Sequence, residues 1–326
     1  MKYRVLLASI ILGLIITVSS CKGSSGTPEF DHAGQALLDD ATLKDFLETH
    51  YYIPAVAGED FGVIDTIEND ETPLMDLVQV QNVNFDNIDY KLYYLKNTPE
   101  GSGKNPIRLD EVFTKYKGIT IDNKKTKFDE RITYTWLSLT SVVPGWSYGF
   151  PNFKSGLNVD TPEDQPIEID SPGTGVLFLP SGLGYRNLGS GSIAPNTPLL
   201  FHIKLGLVKR GDQDGDGIFS IFEDLNGDSD YDNDDTNDNN RPNYSDPDDD
   251  GDNVATKYEM PDANDDGNPN DALDTDGDNI PNYLDDDDDN DGILTKYEVT
   301  VDRYGNPENA PDSDGDNIPD YLDPTN

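Results

Sequence analysis

Apolar positions recur with different periods along the chain, and the periods divide it into sections. Residues 5–18 are almost continuously apolar behind Lys2 and Arg4. Leu43, Phe46 and Leu47 then fall at i, i+3 and i+4, which predicts a helix over 40–50 with Asp40 as its N-cap. One helix of that length is marginal alone, so it is expected to pack on a larger core rather than to form a dimer contact. Residues 58–72 are acidic and loop-like. From Leu77 the alternation Leu77, Gln79, Gln81, Val83 predicts a first strand. Further strands are expected over 131–139, over 176–180 and up to Val208, where Leu199 and Phe201 alternate. Between the first two of these, Val142-Val143-Pro144-Gly145-Trp146 makes a Pro-Gly turn into a helical segment, 146–153. A tryptophan at such a corner either plugs the core or lays its ring as the floor of a shallow apolar pit.

Past Gly211 the pattern changes: single β-branched residues stand isolated among aspartates. The chain of 326 residues holds 64 acidic and 23 basic residues, net −41, and 38 of the acidic but only 4 of the basic ones lie from Gly211 onward. The front is mildly acidic and the back is a polyanion. That charge argues against nucleic acid and anionic lipid as direct partners and points to cations.

Residues 1–20 read as a signal peptide: a charged start, an apolar run too short for a comfortable membrane span, and Ser19-Ser20 before Cys21. Val18-Ser19-Ser20-Cys21 resembles a bacterial lipobox. The resemblance implies that Cys21 is acylated, becomes the mature N-terminus and anchors the protein in the cell envelope; Lys22 points to the outer membrane. The alternative is an ordinary secretory signal. Cys21 is the only cysteine, so no internal disulfide forms. Residues 21–83 are expected to be anchor, spacer and helical extension, with 22–27 flexible by composition.

The stretch 142–208 resembles the second half of the FKBP-type peptidyl-prolyl cis-trans isomerases. It carries the corner ending in Trp146, then Gly149, Phe153-Lys154-Ser155-Gly156, the strand Val176-Leu177-Phe178-Leu179-Pro180, Gly184-Tyr185, and Ile193-Ala194-Pro195 running on to Phe201. Upstream, Tyr116-Lys117-Gly118 looks like the family's Tyr-x-Gly strand and Phe128-Asp129 like its Phe-Asp step. The resemblance covers about 84–210. It implies an α+β fold, an antiparallel sheet wrapped on a short helix, and rotation of X-Pro peptide bonds without a cofactor.

That rotation faces a barrier of roughly 18–20 kcal/mol from amide resonance. No bond breaks, so a site needs a dry pocket for the proline ring and hydrogen bonds suited to the twisted amide. Carried over by motif, the floor is Trp146 and the walls are Tyr116, Phe128, Val142, Val143 and Phe201. Polar contacts come from the Val143 N–H and the Tyr185 hydroxyl, with Asp129 at the rim and Ile193 on an overhanging loop. A further aromatic wall is supplied by Tyr134 or Trp136. Phe201 has an alternative as plain core and Asp129 as a turn cap. The sequence departs from the family in an acidic insert over 158–175, in Glu130-Arg131 after Phe-Asp, and in Arg186 where glycine is common. His32, His50 and His202 fall outside the matched positions, and His202 is expected to face away from the pocket.

The acidic tail repeats Asp-x-Asp-x-Asp with a carboxylate at position 12: Asp212, Asp214, Asp216, Glu223; Asp248, Asp250, Asp252, Glu259; Asp274, Asp276, Asp278, Asp285; Asp287, Asp289, Asp291, Glu298; and Asp312, Asp314, Asp316, Asp323. Position 6 is always Gly or Asn, and position 7 always Ile or Val. Alternate oxygens on a curled backbone are how Ca²⁺ obtains six to eight hard ligands. A solvated acidic tail would give the periodic Ile no reason to recur. Pro281 and Pro319 inside their loops exclude EF-hand helices. The segment 211–326 resembles thrombospondin type 3 repeats, which implies an irregular, calcium-stabilised spacer; 224–246 and 262–270 look like degenerate further sites.

The expectation is therefore a lipid-anchored isomerase acting on proline-containing polypeptides and carrying a calcium-ordered module. Its competitor is a proline-segment-binding chaperone or adhesion module without turnover.

Overall fold

The computed structural model describes residues 30–159 and 167–325. Cys21, the signal segment and Asp160, Glu163 and Asp164 of the insert lie outside them. Helix α1 (His32–Thr49) begins well before Asp40. Asp40 is not its cap, because its carboxylate is committed sideways: it accepts the Tyr93 O–H at 2.6 Å and pairs with Lys44 at 2.8 Å. Leu43, Phe46 and Leu47 are buried as their spacing predicts. At roughly 1.5–3 kcal/mol each they supply the helix with the tertiary support it lacks alone.

The helix ends at Thr49; His50, whose ring stacks on Phe46 at 4.0 Å, opens β1 (His50–Ile53). β1 pairs with β2 (Val63–Thr66), so 58–72 is not loop throughout. There follow β3 (Gln79–Phe85), β4 (Ile88–Lys96), β5 (Glu111–Thr120), β6 (Lys127–Ser138), α2 (Pro144–Gly149), the hairpin β7 (Leu157–Val159) and β8 (Glu168–Asp170), then β9 (Gly173–Leu179) and β10 (Leu199–Lys209). The expected alternation from Leu77 begins at Gln79; Leu77 itself is exposed in the preceding turn.

The main sheet runs β3-β4-β9-β10-β5-β6, antiparallel throughout. Its two faces sort by parity. Leu177, Leu179, Leu199, Phe201, Ile203 and Leu205 pack with Trp146 and Phe150 of the short helical segment. Val176, Phe178 and Leu200 pack with Leu43, Phe46 and Leu47 of α1. With both faces covered, β9 reads as an unbroken apolar run rather than an alternating one. The expected single short helix thus has a second across the sheet, and α1 packs on the core.

The tail contains one-turn elements only, including α3 (Thr295–Glu298). The same hydrogen bond closes each loop: the position-9 N–H donates to the carbonyl before position 1. This occurs at Ser220→Gly211, Thr256→Pro247, Asn282→Leu273, Thr295→Asp286 and Asp320→Pro311, all at 2.9–3.0 Å. Asn243→Asp234 at 2.8 Å gives the same closure to a loop opening at Asp235, inside the stretch that looked degenerate. Position 6 is left-handed in all six loops, from φ 68° at Asn240 to 105° at Gly217, which explains the Gly/Asn requirement.

Residues His32–Asn326 pack as one unit, so the tail is joined to the sheet. Asp110, fully buried, accepts from the Gly211 N–H at 3.0 Å and the Ile107 N–H at 2.8 Å and pairs with Arg210 at 2.5 Å. Gln213 donates to the Leu109 carbonyl at 2.7 Å, and Arg108 pairs with Asp232 at 2.8 Å beside the rings of Tyr231 and Tyr244.

Candidate active site and metal centres

Pro144 at the first turn of α2 presets its φ, and the Trp146 N–H reaches back to the Val143 carbonyl at 2.8 Å. Gly145 lets this corner approach β9: a Cβ there would stand 2.6 Å from Leu179 Cδ1. The Trp146 ring lies edge-to-face with Tyr116 at 4.9 Å and with Phe201 at 5.1 Å. The residue is only 4% exposed and its buried indole N–H has no partner. It both plugs the core and lines a cavity, so the two alternatives for it are compatible.

That cavity has a volume of about 400 Å³ and is lined by Tyr116, Phe128, Asp129, Leu137, Ser141, Val142, Val143, Trp146, Tyr185 and Phe201. Phe128 stands at 90° to Phe201 with centroids 5.5 Å apart, both rings over Gly118. The β5–β6 register shifts between Gly118 and Ile119, and this irregularity aims Phe128 inward. The Tyr116 hydroxyl donates to Asp129 Oδ2 at 2.7 Å; burial, with that carboxylate beside it, pushes the phenol up to about 12. Burial and the Asp129 charge likewise raise Tyr185.

Two expectations are corrected. Neither Tyr134 nor Trp136 lines the cavity. Both stack on Phe113, at 5.1 and 5.0 Å, on the opposite side of β6, while Leu137 pairs with the fully buried Val112 and faces inward. Ile193 does not line the cavity either: it is buried in the apolar cluster that includes Trp146 and Phe201. Ser141 and Leu137 are wall residues that the motifs missed. His202 faces the other side of the sheet as expected, 6.1 Å from Phe61, and burial pushes its imidazole down to about 3.

The turn before Tyr185 is held by a contact with no sequence signature. Asp39 of α1, 1% exposed, accepts the Ser181 N–H at 2.7 Å and its hydroxyl at 2.6 Å, fixing the turn that leads to Tyr185. Arg186 adopts φ 53°, the conformation glycine takes freely; an ion pair to Asp86 and the Phe85 ring at 5.0 Å hold it there.

A stretch of 123 residues is 34% identical to the probable FKBP-type peptidyl-prolyl cis-trans isomerase FkpA of Neisseria meningitidis serogroup B, covering 36% of this chain and 37% of that protein. FkpA of Escherichia coli K12 is 33% identical over 112 residues, 33% of this chain and 35% of that one. That stretch is FKBP-like. The chain spans little more than a third of the length of these curated relatives. Among solved structures, FkpA from Escherichia coli aligns at 31% identity with a TM-score of 0.29, over 36% of this chain and 48% of that one. A peptidyl-prolyl isomerase from Pseudomonas syringae pv. tomato aligns at 20% identity with a TM-score of 0.34, over 57% of this chain and 100% of that one. No protein-family model matches. No helix among the described residues is long and apolar enough to cross a membrane.

Behind the FKBP-like part, the tail gathers carboxylates whose oxygens lie within 4.8 Å of one another. The groups include Asp212, Asp214 and Asp216; Asp274, Asp276 and Asp278; and Asp287, Asp289 and Asp291. Two others draw on separate loops: Asp216, Glu223 and Asp249, and Asp250, Asp252, Glu259 and Asp288. Both oxygens of Asp214, Asp249 and Glu259 are buried without a donor. Burial and the neighbouring charges of Asp216 and Asp214 push Glu223 up to about 9. Buried all-oxygen groups of this kind fit a hard divalent cation, which supplies the missing countercharge. Asp249 and Asp288 were not among the expected ligands. They occupy position 2 of their loops, which the odd-numbered ligand pattern passes over.

Proposed function

We propose that residues 84–210 catalyse cis–trans rotation of X-Pro bonds in polypeptides. The cavity floored by Trp146, with Tyr185 and Asp129 at its mouth, carries this reading. The proline ring sits against the indole between Phe128, Phe201 and Tyr116. Removing the amide from water weakens the resonance form with charge on oxygen. The Val143 N–H and Tyr185 hydroxyl hold the carbonyl, and Asp129, fixed by Tyr116, borders the incoming chain. No nucleophile, general base or metal takes part, since no covalent bond is made or broken.

The tail acts as a calcium-ordered spacer. Its five acidic loops bind Ca²⁺ through positions 1, 3, 5 and 12, and the buried carboxylates without donors support this. The Cys21 lipobox supports a lipid anchor in the cell envelope, at the outer membrane. Exchange NMR on a short X-Pro peptide tests the enzyme: the chain accelerates isomerisation, and Trp146→Ala abolishes it with the fold retained in far-UV spectra. Tight peptide binding without acceleration would favour a proline-segment chaperone instead.

A further inference from the structure

Two of the cation loops are not self-contained. Along a curled Asp-x-Asp-x-Asp segment, positions 1, 3 and 5 turn toward the loop's own centre and position 2 turns away. In most loops position 2 is neutral and serves the frame: Thr275 receives from Asn282 at 2.9 Å, and Ser313 donates to Asp320 at 2.7 Å. In the loops opening at Asp248 and Asp287 it is instead an aspartate. The Asp249 N–H donates to Thr256 Oγ1 at 3.2 Å and the Asp288 N–H to Thr295 Oγ1 at 3.1 Å, equivalent bonds that hold both residues in the same attitude.

Their carboxylates leave their own loops altogether. Asp249 groups with Asp216 and Glu223 of the first loop; Asp288 groups with Asp250, Asp252 and Glu259 of the second. Asp249 is 1% exposed, and neither of its oxygens meets a hydrogen-bond donor. An ionised group so placed is intolerable in a dry interior unless something positive joins it. The pattern extends one loop further: the buried Tyr283 lies in the field of Asp249, Asp216 and Glu223, and the buried Tyr321 in that of Asp288, Glu259 and Asp252.

We propose that Asp249 and Asp288 are divalent-cation ligands supplied in trans, each completing the cage of an earlier loop, so that the first two sites fill cooperatively. This rests on the calcium reading of the tail and goes beyond it. Asp249 shares its backbone with Asp248 and Asp250, so a cation that fixes Asp249 at the first site also positions ligands of the second. By linkage, filling the second helps the first equally.

The test uses the full chain, stripped with chelator and titrated calorimetrically with CaCl₂. A parallel TbCl₃ titration is followed by tyrosine-sensitised luminescence, which Tyr283 and Tyr321 report. Asp249→Asn and Asp288→Asn are compared with Asp238→Asn, an exposed tail control. Each of the first two should weaken binding at its cage about ten- to hundredfold. Asp249→Asn should also flatten the steepness of the wild-type isotherm, whereas Asp238→Asn leaves both unchanged. A merely structural aspartate is separated by sign: without cation, Asp249→Asn removes a buried charge, so its urea midpoint in chelator should be no lower than wild type. Wild-type affinity and steepness in Asp249→Asn overturn the interlock while leaving the calcium reading standing. A variant less stable in both chelator and Ca²⁺ overturns the ligand role. A wild-type chain that binds no Ca²⁺ removes the calcium reading itself.

Discussion

Asp39 lies upstream of the FKBP-like stretch, yet the structure ties it to the turn that leads to Tyr185. Its carboxylate takes three hydrogen bonds: two from Ser181 and one from Gln35 Nε2 at 2.7 Å. Bonds to an ionised group contribute about 1.5–3 kcal/mol each. Part of that gain is cancelled by desolvation, because burial lifts the carboxyl above its ordinary 3.8 despite those bonds. Asp39→Ala also strands the buried Ser181 N–H. The expected net loss is about 2–4 kcal/mol, read as a lower urea midpoint at unchanged slope. With the turn before Tyr185 released, kcat/KM in the X-Pro exchange assay should fall about three- to tenfold, roughly 0.7–1.4 kcal/mol of barrier. Asp39→Asn keeps an acceptor for Ser181, and Gln35 can turn its amide oxygen to the new NH₂, so stability at pH 7 should stay within about 1 kcal/mol of wild type. The sign of the pH effect follows from the raised pKa. The folded chain binds this proton before the unfolded one, so the group's contribution becomes more favourable as pH falls from the folded value toward 3.8. Asp39→Asn should remove that increment. Equal losses from Ala and Asn, or an unchanged midpoint in Asp39→Ala, would refute the reasoning.

Other outcomes follow from the same geometry. Tyr116→Phe frees Asp129 while leaving its Glu130 N–H bond of 2.8 Å; kcat/KM should drop about five- to tenfold, roughly 1–1.4 kcal/mol, with the urea midpoint little changed. In Gly118→Ala the new Cβ would stand 2.6 Å from Phe128 Cζ and 2.9 Å from Phe201 Cε1, so the rings crowd the cavity. About 1–3 kcal/mol of stability should be lost and KM should rise, both measurable on one purified variant. Arg186→Gly relieves a left-handed backbone but gives up the contacts to Asp86 and Phe85; unfolding should shift by less than about 0.5 kcal/mol, because strain and lost contacts are of similar size. Chelator should change the far-UV spectrum and millimolar Ca²⁺ restore it, since carboxylates without a countercharge repel.

What the sequence made legible was whatever its local rules encode. The Val-Val-Pro-Gly-Trp corner, the Tyr116 and Phe128-Asp129 positions and the apolar parity of β9 and β10 are short-range patterns; the structure brings Tyr116, Phe128, Asp129, Val142, Val143, Trp146 and Phe201 to one cavity, while the apolar residues of β9 pack in the core. The misses are long-range. Asp40 looked like a helix cap because nothing local revealed that Tyr93, 53 positions away, holds it mid-helix. Leu137 was passed over for two aromatics because side-chain direction on β6 depends on register, which slips between Thr114 and Tyr116. Asp39 carries no periodicity that separates it from its neighbour. Asp249 and Asp288 were hidden by their own loops, whose spacing draws attention to the odd positions.

The clamp at Asp110 has a mechanical consequence. One buried carboxylate grips both the loop before β5 and the first two residues after β10, Arg210 through its guanidinium and Gly211 through its N–H, so the chain leaves the sheet without a swivel. The acidic segment therefore leaves the sheet on a fixed bearing, and the cavity on that sheet turns with it instead of wandering on a leash.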